Sequence, residues 1–578
     1  MRFPSIDLLA RQALAVLRRF PWTLAAGALA AFAGIEGSLS GADDPWDRLV
    51  FVAAAGLPLT IALTLLGETR GWSSGRRHLV VLGGLLGLVV FFLIWPGIER
   101  RHEVIRYLQL SAALHLGVAF LPFLGVSDTP AFWQYNRRLL LGFLRAGVFS
   151  AVLYVGVAIA LAALDKLFGV DVASETYFRI WFVFAFLVNT WIFLAVVPER
   201  LPELEHDREY PRALKIFAQF ILTPLAFTYL VILLAYLVKI VAGGEWPSGW
   251  IGWLVASVSV TGLLGFLLVY PLRTDPAEAW IRTYSRWLFV GLIPAALMLL
   301  VAFWKRILPY GLTEPRLLGV VLGLWLLGIA VLFTVRSATS IRIIPVTLAA
   351  VLLLMLYGPL SLTRLSVNSQ GRRLARMLQP STPAQVQARE GSAALRFLMD
   401  HNAGEEIATA IGREVPPVDW AAVPRYGTER DSLAQMVMEL AGARYVPEYA
   451  SGADGWVHLN TGGAIPVRGY AWVVPMGAND ATKHLLEDDT VQVVPQAGGN
   501  GKVLVRVGRD TLMFDLRPVV DRYADSLPPR FGRSLERIAV EATEGTRRAI
   551  LVLGSLSAQR QGDTLAYVSW GGNLLLGE

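Results

Sequence analysis

The chain has 578 residues, of which 54% are hydrophobic and only 17% charged, with a mean hydropathy of +0.50 and a net charge of +7. That balance excludes an ordinary soluble globular protein and points to a membrane protein. The absence of cysteine excludes disulfides, thiolate metal sites and a cysteine nucleophile; the positive charge forms no basic run with interleaved aromatics, so nucleic acid is not an expected partner.

From the amino terminus, residues 3–16 (FPSIDLLARQALAV) have an amphipathic pattern that suits a helix lying on a membrane surface. A spanning helix needs about 20 mostly apolar residues, and that criterion predicts eleven spans. They fall at roughly 20–39, 49–67, 78–96, 105–125, 139–163, 178–198, 216–240, 250–271, 287–304, 317–335 and 343–362. The first is rich in alanine and glycine, contains Glu36 and follows Arg18 and Arg19 without a small-residue cleavage site, so it reads as an uncleaved anchor. Alternate connections hold unequal numbers of cations. One set carries Arg2, Arg11, Arg18, Arg19, Arg70, Arg76, Arg77, Arg137, Arg138, Arg200, Arg208, Arg212, Lys215, Arg273, Arg282, Arg286, Arg336 and Arg342; the other, about half as large, runs from Arg48 through Arg100, Arg101, Arg106, Lys166, Arg179 and Lys239 to Lys305, Arg306 and Arg316. Because cationic loops stay in the cytoplasm, the amino terminus is expected there. Eleven crossings then place everything after residue 362 on the far side, the periplasm in a bacterium with two membranes.

The expected division is a transmembrane helical domain over 1–365, a connector over 366–382 (SVNSQGRRLARMLQPST) and a soluble α+β domain rich in antiparallel sheet over 383–578. Helical patterns occur at about 383–400 and 429–442. The stretches KVLVRVGRDTLMFDL (502–516) and RAILVLGSLSAQRQGDTLAYVSW (548–570) alternate apolar residues about a turn and predict β-hairpins.

Three motifs, FWQYNRRLLLGFLRAGVFSAVLYVGVAIALAALDKLFGVDV (132–172), VNTWIFLAVVPE (188–199) and KRILPYGLTEPR (305–316), occur in order. Together they resemble the bacterial membrane family catalogued as domain of unknown function 4153, over roughly residues 15–400. The resemblance implies a polytopic inner-membrane protein with a non-cytoplasmic tail, and it carries over no catalytic residues, because the family has no established activity.

Among individual residues, Lys305, Arg306, Glu314 and Arg316 stand out, being charged residues around a turn on the side where positive loops are disfavoured. A structural account has Tyr310 and Gly311 turning the chain, Thr313 capping the next helix, and Glu314 and Pro315 in its first turn. The functional account has the cations holding anionic lipid headgroups or the phosphate of a lipid-linked substrate. Within the spans, Asn189, His115 and Gln219 are expected to face the bundle interior, since polar groups are costly in hydrocarbon; Asn189 suits an interhelical hydrogen bond or a transport path, and Arg145 suits snorkelling. Pro58, Pro122, Pro224 and Pro294 can break helices, and Gly83-x-x-x-Gly87 and Gly319-x-x-x-Gly323 suit close helix packing.

No P-loop, His-Glu-x-x-His, Gly-x-Ser-x-Gly or kinase signature is present. His401 and Glu405 share a helix face only if a helix runs through Gly404, and Asp488 with Asp489 reads as a solvated turn. No metal or cofactor is therefore expected. Two readings follow. The first is a non-enzymatic envelope protein, for scaffolding or signalling, whose periplasmic domain binds another envelope protein or a cell-wall component and whose helices contact the bilayer and its anionic headgroups. The alternative is a transporter or lipid-modifying enzyme with its site near the outer membrane-water interface.

Overall fold

A backbone that enters hydrocarbon must satisfy its own N–H and C=O groups, which favours helices, and the chain is helical from Ile6 to Leu440 apart from its connections. The computed structural model describes the protein except for residues 1–5, 39–44, 127–129, 208, 245–249, 337–338, 416–417, 419, 421–422, 424–427, 448–455, 461–464, 466, 478–482, 487–488, 495–500, 525–537, 545–546, 562–563 and 578. Arg2, Arg208 and Asp488 from the sequence reading lie outside the described residues. Two compact units emerge, Met1–Gln370 and Gly371–Glu578.

The first unit comprises α1 (Ile6–Arg19), α2 (Pro21–Gly37), α3 (Trp46–Thr69), α4 (Ser74–Ile94), α5 (Arg101–Phe120), α6 (Pro130–Phe168), α7 (Ser174–Phe182), α8 (Asn189–Leu194), α9 (Arg212–Ile216), α10 (Thr223–Gly243), α11 (Trp250–Val269), α12 (Trp280–Tyr310), α13 (Glu314–Val335), α14 (Ile343–Leu354) and the start of α15 (Leu362–Met377). Wide π-helical turns, Val183–Val188 and Phe217–Leu222, join α7 to α8 and α9 to α10. Among the described residues, nine helices are long and apolar enough to cross a membrane, against the eleven stretches expected. The other two stretches form α2, of 17 residues, and α14, of 12. Both still run along long neighbours. Arg19 meets Glu68 at one end of the α2–α3 pair and Gly37 adjoins Asp47 at the other. After α14 the chain turns and resumes as α15 beside α5, where Arg106 reaches Thr363.

Small residues set the closest approaches. A Cβ on Gly27 would lie 2.6 Å from the Phe186 carbonyl oxygen, and one on Gly34 2.2 Å from the Phe182 ring, so α2 lies tight against the first π turn. Gly319 and Gly323 pack on Phe303 and Leu300 of α12 as expected for internal packing, with 2.1 Å between a Gly319 Cβ and the Phe303 ring. Gly83 and Gly87 do not. They face open space, and Gly84 is the glycine that packs on α3, against Leu63 and Leu59.

Among the described residues, the second unit holds α16 (Ala384–Asp400), α17 (Gly404–Ile411), α18 (Thr428–Leu440) and α19 (Arg517–Ala524) with nine strands. These are β1 (Trp456–Asn460), β2 (Trp472–Gly477), β3 (His484–Leu485), β4 (Thr490–Val494), β5 (Lys502–Val507), β6 (Asp510–Asp515), β7 (Ile538–Glu544), β8 (Arg547–Gln561) and β9 (Thr564–Leu576). Pairing is antiparallel in the order β1-β8-β9-β2, with β7 also on β8, and β3-β4-β5-β6 in a second sheet. Both expected hairpins are present, β5–β6 closing at Val507↔Asp510 and β8–β9 at Gln561↔Thr564. Alternate residues Val503, Val505 and Val507 of one sheet and Leu551 and Leu574 of the other enter one shared core. Stretch 383–400 forms α16 and 429–442 forms α18, whereas residues 366–377 continue α15 as a helix.

Candidate functional site

The turn between α12 and α13 is where charge and sequence motif coincide. Helix α12 runs through Lys305, Arg306 and Pro309 to Tyr310, and Gly311, at φ 69°, stops it in a conformation that costs glycine little. Thr313 is extended and its side chain caps nothing, contrary to expectation. Arg316 supplies the closure instead, its Nη1 donating to the Gly311 carbonyl at 2.9 Å and the Tyr310 carbonyl at 3.2 Å. Carbonyls left over at a helix end need such donors, and a guanidinium reaching back can serve two. From α15, Gln370 Nε2 donates to the same Tyr310 carbonyl and to Leu312, while Ser369 Oγ accepts from Leu312 N at 2.9 Å. Glu314 is buried. Lys305 and Arg306 are on the exposed end of α12 with Trp304 and Leu308, so the four expected charges divide into buried Glu314 with half-buried Arg316 at the turn and an exposed cationic helix end.

At the head of α5 lies a cluster that the sequence reading missed. Arg106 Nη1 donates to both oxygens of buried Glu103 at 2.6 and 2.7 Å, His102 Nε2 lies 3.2 Å from Glu103 Oε1, and Arg106 also reaches Thr363 Oγ1 and lies over the Tyr357 ring. The indole of Trp95, stacked between Phe91 and Tyr107, donates to the Glu103 carbonyl. The only trace in the sequence is the i, i+3 spacing of Glu103 and Arg106, which is common on helices.

The other end of the unit collects the more numerous set of cations. Arg19 and Arg77 share Glu68, Arg137 and Arg138 share Asp207, and Lys215 pairs with Glu278. Backbone carbonyls take two more: Arg70 donates to Leu124, and Arg342 to Phe123 and Val126. Trp133 stacks on Tyr210, and each donates to a carbonyl at the end of α11, Leu267 and Leu268 respectively. Burial raises the Asp207 carboxyl, but the Glu209 N–H and the Arg138 and Arg137 guanidiniums outweigh it and hold it below the usual carboxylate range. Lys215, then the Trp280 indole, holds Glu278 low in the same way, whereas burial pushes Tyr210 up to about 12. These acids were invisible as sites because each is an ordinary carboxylate until the fold brings cations distant in sequence to it.

The intramembrane candidates separate. His115 is on the exposed face of α5, its Nδ1 2.8 Å from the Ser111 carbonyl, so it does not face the interior as expected; a bond to its own helix satisfies the ring without a partner. Arg145 likewise bonds the Leu141 carbonyl. Gln219 donates to Glu278 Oε2 at 2.9 Å. Asn189 directly follows the first π turn, and its Oδ1 is buried without a hydrogen-bond partner among the described residues. His401 ends α16 and Glu405 opens α17 with Asn402 at φ 52° between, so they do not share a helix. No group of three or more His, Asp or Glu able to hold a metal occurs among the described residues.

The family described as "Domain of unknown function (DUF4153)" matches residues 23–381, more than half of the chain, and the chain belongs to it. An uncharacterized protein of Pasteurella multocida (strain Pm70) is 25% identical over 176 residues, which is 30% of this chain and 30% of that protein. No solved structure matches.

Proposed function

With membership of the DUF4153 family as the premise, we propose that the chain is a multi-pass protein of the bacterial cytoplasmic membrane that acts as a non-enzymatic envelope scaffold or signalling protein. Its helical unit crosses the bilayer eleven times, amino terminus in the cytoplasm, and holds the sheet-rich unit in the periplasm to bind another envelope protein. The observation that carries this reading is the cationic belt at one end of the helical unit, where Arg19, Arg70, Arg77, Arg137, Arg138, Lys215 and Arg342 are tied by side chains and carbonyls into the ends of the helices. Charges fixed there stay on the cytoplasmic side. Counting α2 and α14 together adds two crossings to nine, and either total is odd, so the two ends of the unit fall on opposite sides. The engagement of Arg316 in closing its own turn favours this reading over a lipid-modifying site at that motif.

The test is alkaline phosphatase fused after residue 380 and, separately, after residue 208. Activity of the first fusion and inactivity of the second is the expected pair; the reverse pair overturns the orientation. In vivo photocrosslinking from exposed Met513 of β6 would then be expected to trap an envelope protein, and adducts confined to cytoplasmic proteins would sink the periplasmic binding role.

A further inference from the structure

The second π turn, Phe217–Leu222, ends at Thr223, whose N–H reaches back five residues to the Ala218 carbonyl. The next residue, Pro224, has no N–H. The carbonyls of Gln219 and Phe220 therefore lose the donor that position 224 would otherwise supply. Immediately beside them, the Thr223 hydroxyl on α10 and the Tyr284 hydroxyl on α12 approach closely enough to share a hydrogen bond, and neither has any other partner among the described residues, so one of the two protons and the remaining oxygen lone pairs are left unused. Both side chains are more than nine-tenths buried, at 5% and 8% exposure. Opposite them α11 presents Gly265, where a Cβ would lie 3.1 Å from Tyr284 Oη and 3.8 Å from Thr223 Oγ1. Three helices thus converge on two hydroxyls around a position that carries no side chain.

A buried pair of hydroxyls with only each other for partners leaves hydrogen-bonding capacity unused, which is costly in hydrocarbon, and π turns recur at functional sites. We propose that Thr223, Tyr284 and the carbonyls of the adjoining π turn bind a desolvated monovalent cation, sodium or potassium, between α10, α11 and α12. The ligand chemistry fits that class. Uncharged hydroxyl and carbonyl oxygens are hard donors, and interrupted membrane helices coordinate alkali cations with their released carbonyls; a divalent ion would call for carboxylates, and the nearest acid on this face, Glu278, is a turn away and already accepts from Gln219, Lys215 and Trp280. Gly265 keeps α11 close without crowding the oxygens. The nearby Ser285 hydroxyl is spent on the Ile281 carbonyl, so it adds no ligand.

A ligand that binds the folded state alone raises its stability in a saturable way. The test is thermal unfolding of the purified full chain in detergent, followed by tryptophan fluorescence, in choline chloride titrated at constant ionic strength with sodium chloride or potassium chloride. The expected result is a saturable rise in midpoint with one of the two ions, lost in Thr223→Val and in Tyr284→Phe and retained in Thr223→Ser, which keeps the hydroxyl. A wild-type midpoint that follows ionic strength alone overturns the proposal, as does an ion-specific rise that persists in both hydroxyl deletions. If the deletions lower the midpoint equally in all three salts and the wild type shows no ion preference, the hydroxyls serve a water molecule and the cation site is wrong. Should either deletion fail to fold, Gly265→Ala tests the same point, since its methyl would crowd Tyr284 and is expected to weaken the ion response.

Discussion

Arg19 grips Glu68 through two parallel hydrogen bonds, Nε to Oε1 at 3.0 Å and Nη2 to Oε2 at 2.8 Å, and the same guanidinium caps the Val197 and Pro198 carbonyls. One side chain thereby joins α1, α3 and the segment after α8. The pair is only partly buried, so Glu68→Gln is expected to destabilise by about 1–3 kcal/mol, the range for charge-assisted hydrogen bonds. Arg19→Ala should cost more, because the Val197 and Pro198 carbonyls lose their donor as well. Unfolding midpoints of the two single variants and the double variant in one detergent measure this, and additive effects would show that the two residues do not act together.

The acid side of the belt gives a pH dependence. The Asp207 carboxyl is held below its ordinary value, so its contribution to stability is complete above the unfolded value of about 3.9 and is lost as pH falls through the folded one. Stability is therefore expected to be flat from pH 7 to about 5 and to fall below about 4. Asp207→Asn should be less stable at pH 7 and show a shallower acid limb. An unchanged acid limb in that variant would remove Asp207 from the cause.

At the α12–α13 turn the two halves of the motif should behave differently. Arg316→Gln removes donors to two carbonyls and is expected to lower stability by about 1–2 kcal/mol, with no change in copurifying lipid. Lys305→Gln with Arg306→Gln, on the exposed helix end, is expected to leave the unfolding midpoint within about 0.5 kcal/mol of wild type and to deplete anionic lipid seen by native mass spectrometry. Lipid lost from the Arg316 variant and kept in the other would reverse the assignment.

Glycine substitutions separate packed from open positions. Gly319→Ala places a methyl 2.1 Å from the Phe303 ring and should destabilise by about 1–3 kcal/mol through forced displacement. Gly83→Ala meets nothing within 4 Å and is expected to be neutral or slightly stabilising, because alanine loses less backbone freedom. Equal losses at the two sites would mean that α4 is covered by something beyond this chain.

Local chemistry was sufficient for much of this architecture. Long apolar runs must become helices, and alternation about Gly508 and Arg509 must become a hairpin, because each pattern has one way to bury its apolar atoms with its backbone bonded. The family resemblance in the 132–172, 188–199 and 305–316 motifs likewise rested on residues in order along the chain. What the sequence could not determine was where lone polar residues end up. Glu103, Asp207 and Glu278 are ordinary carboxylates until helices distant in sequence bring Thr363, Arg137 and Lys215 to their surroundings. His115 looked internal and is exposed, because helix phase is decided by which face the neighbours cover. Arg316, not Thr313, closes the turn at 310–313, since the direction in which a long side chain folds back depends on the carbonyls that the tertiary structure leaves unpaired. The π turns have the same origin: α10 carries its proline next to a widened turn where Thr223 and Tyr284 must meet across Gly265, and that requirement exists only once α10, α11 and α12 are packed.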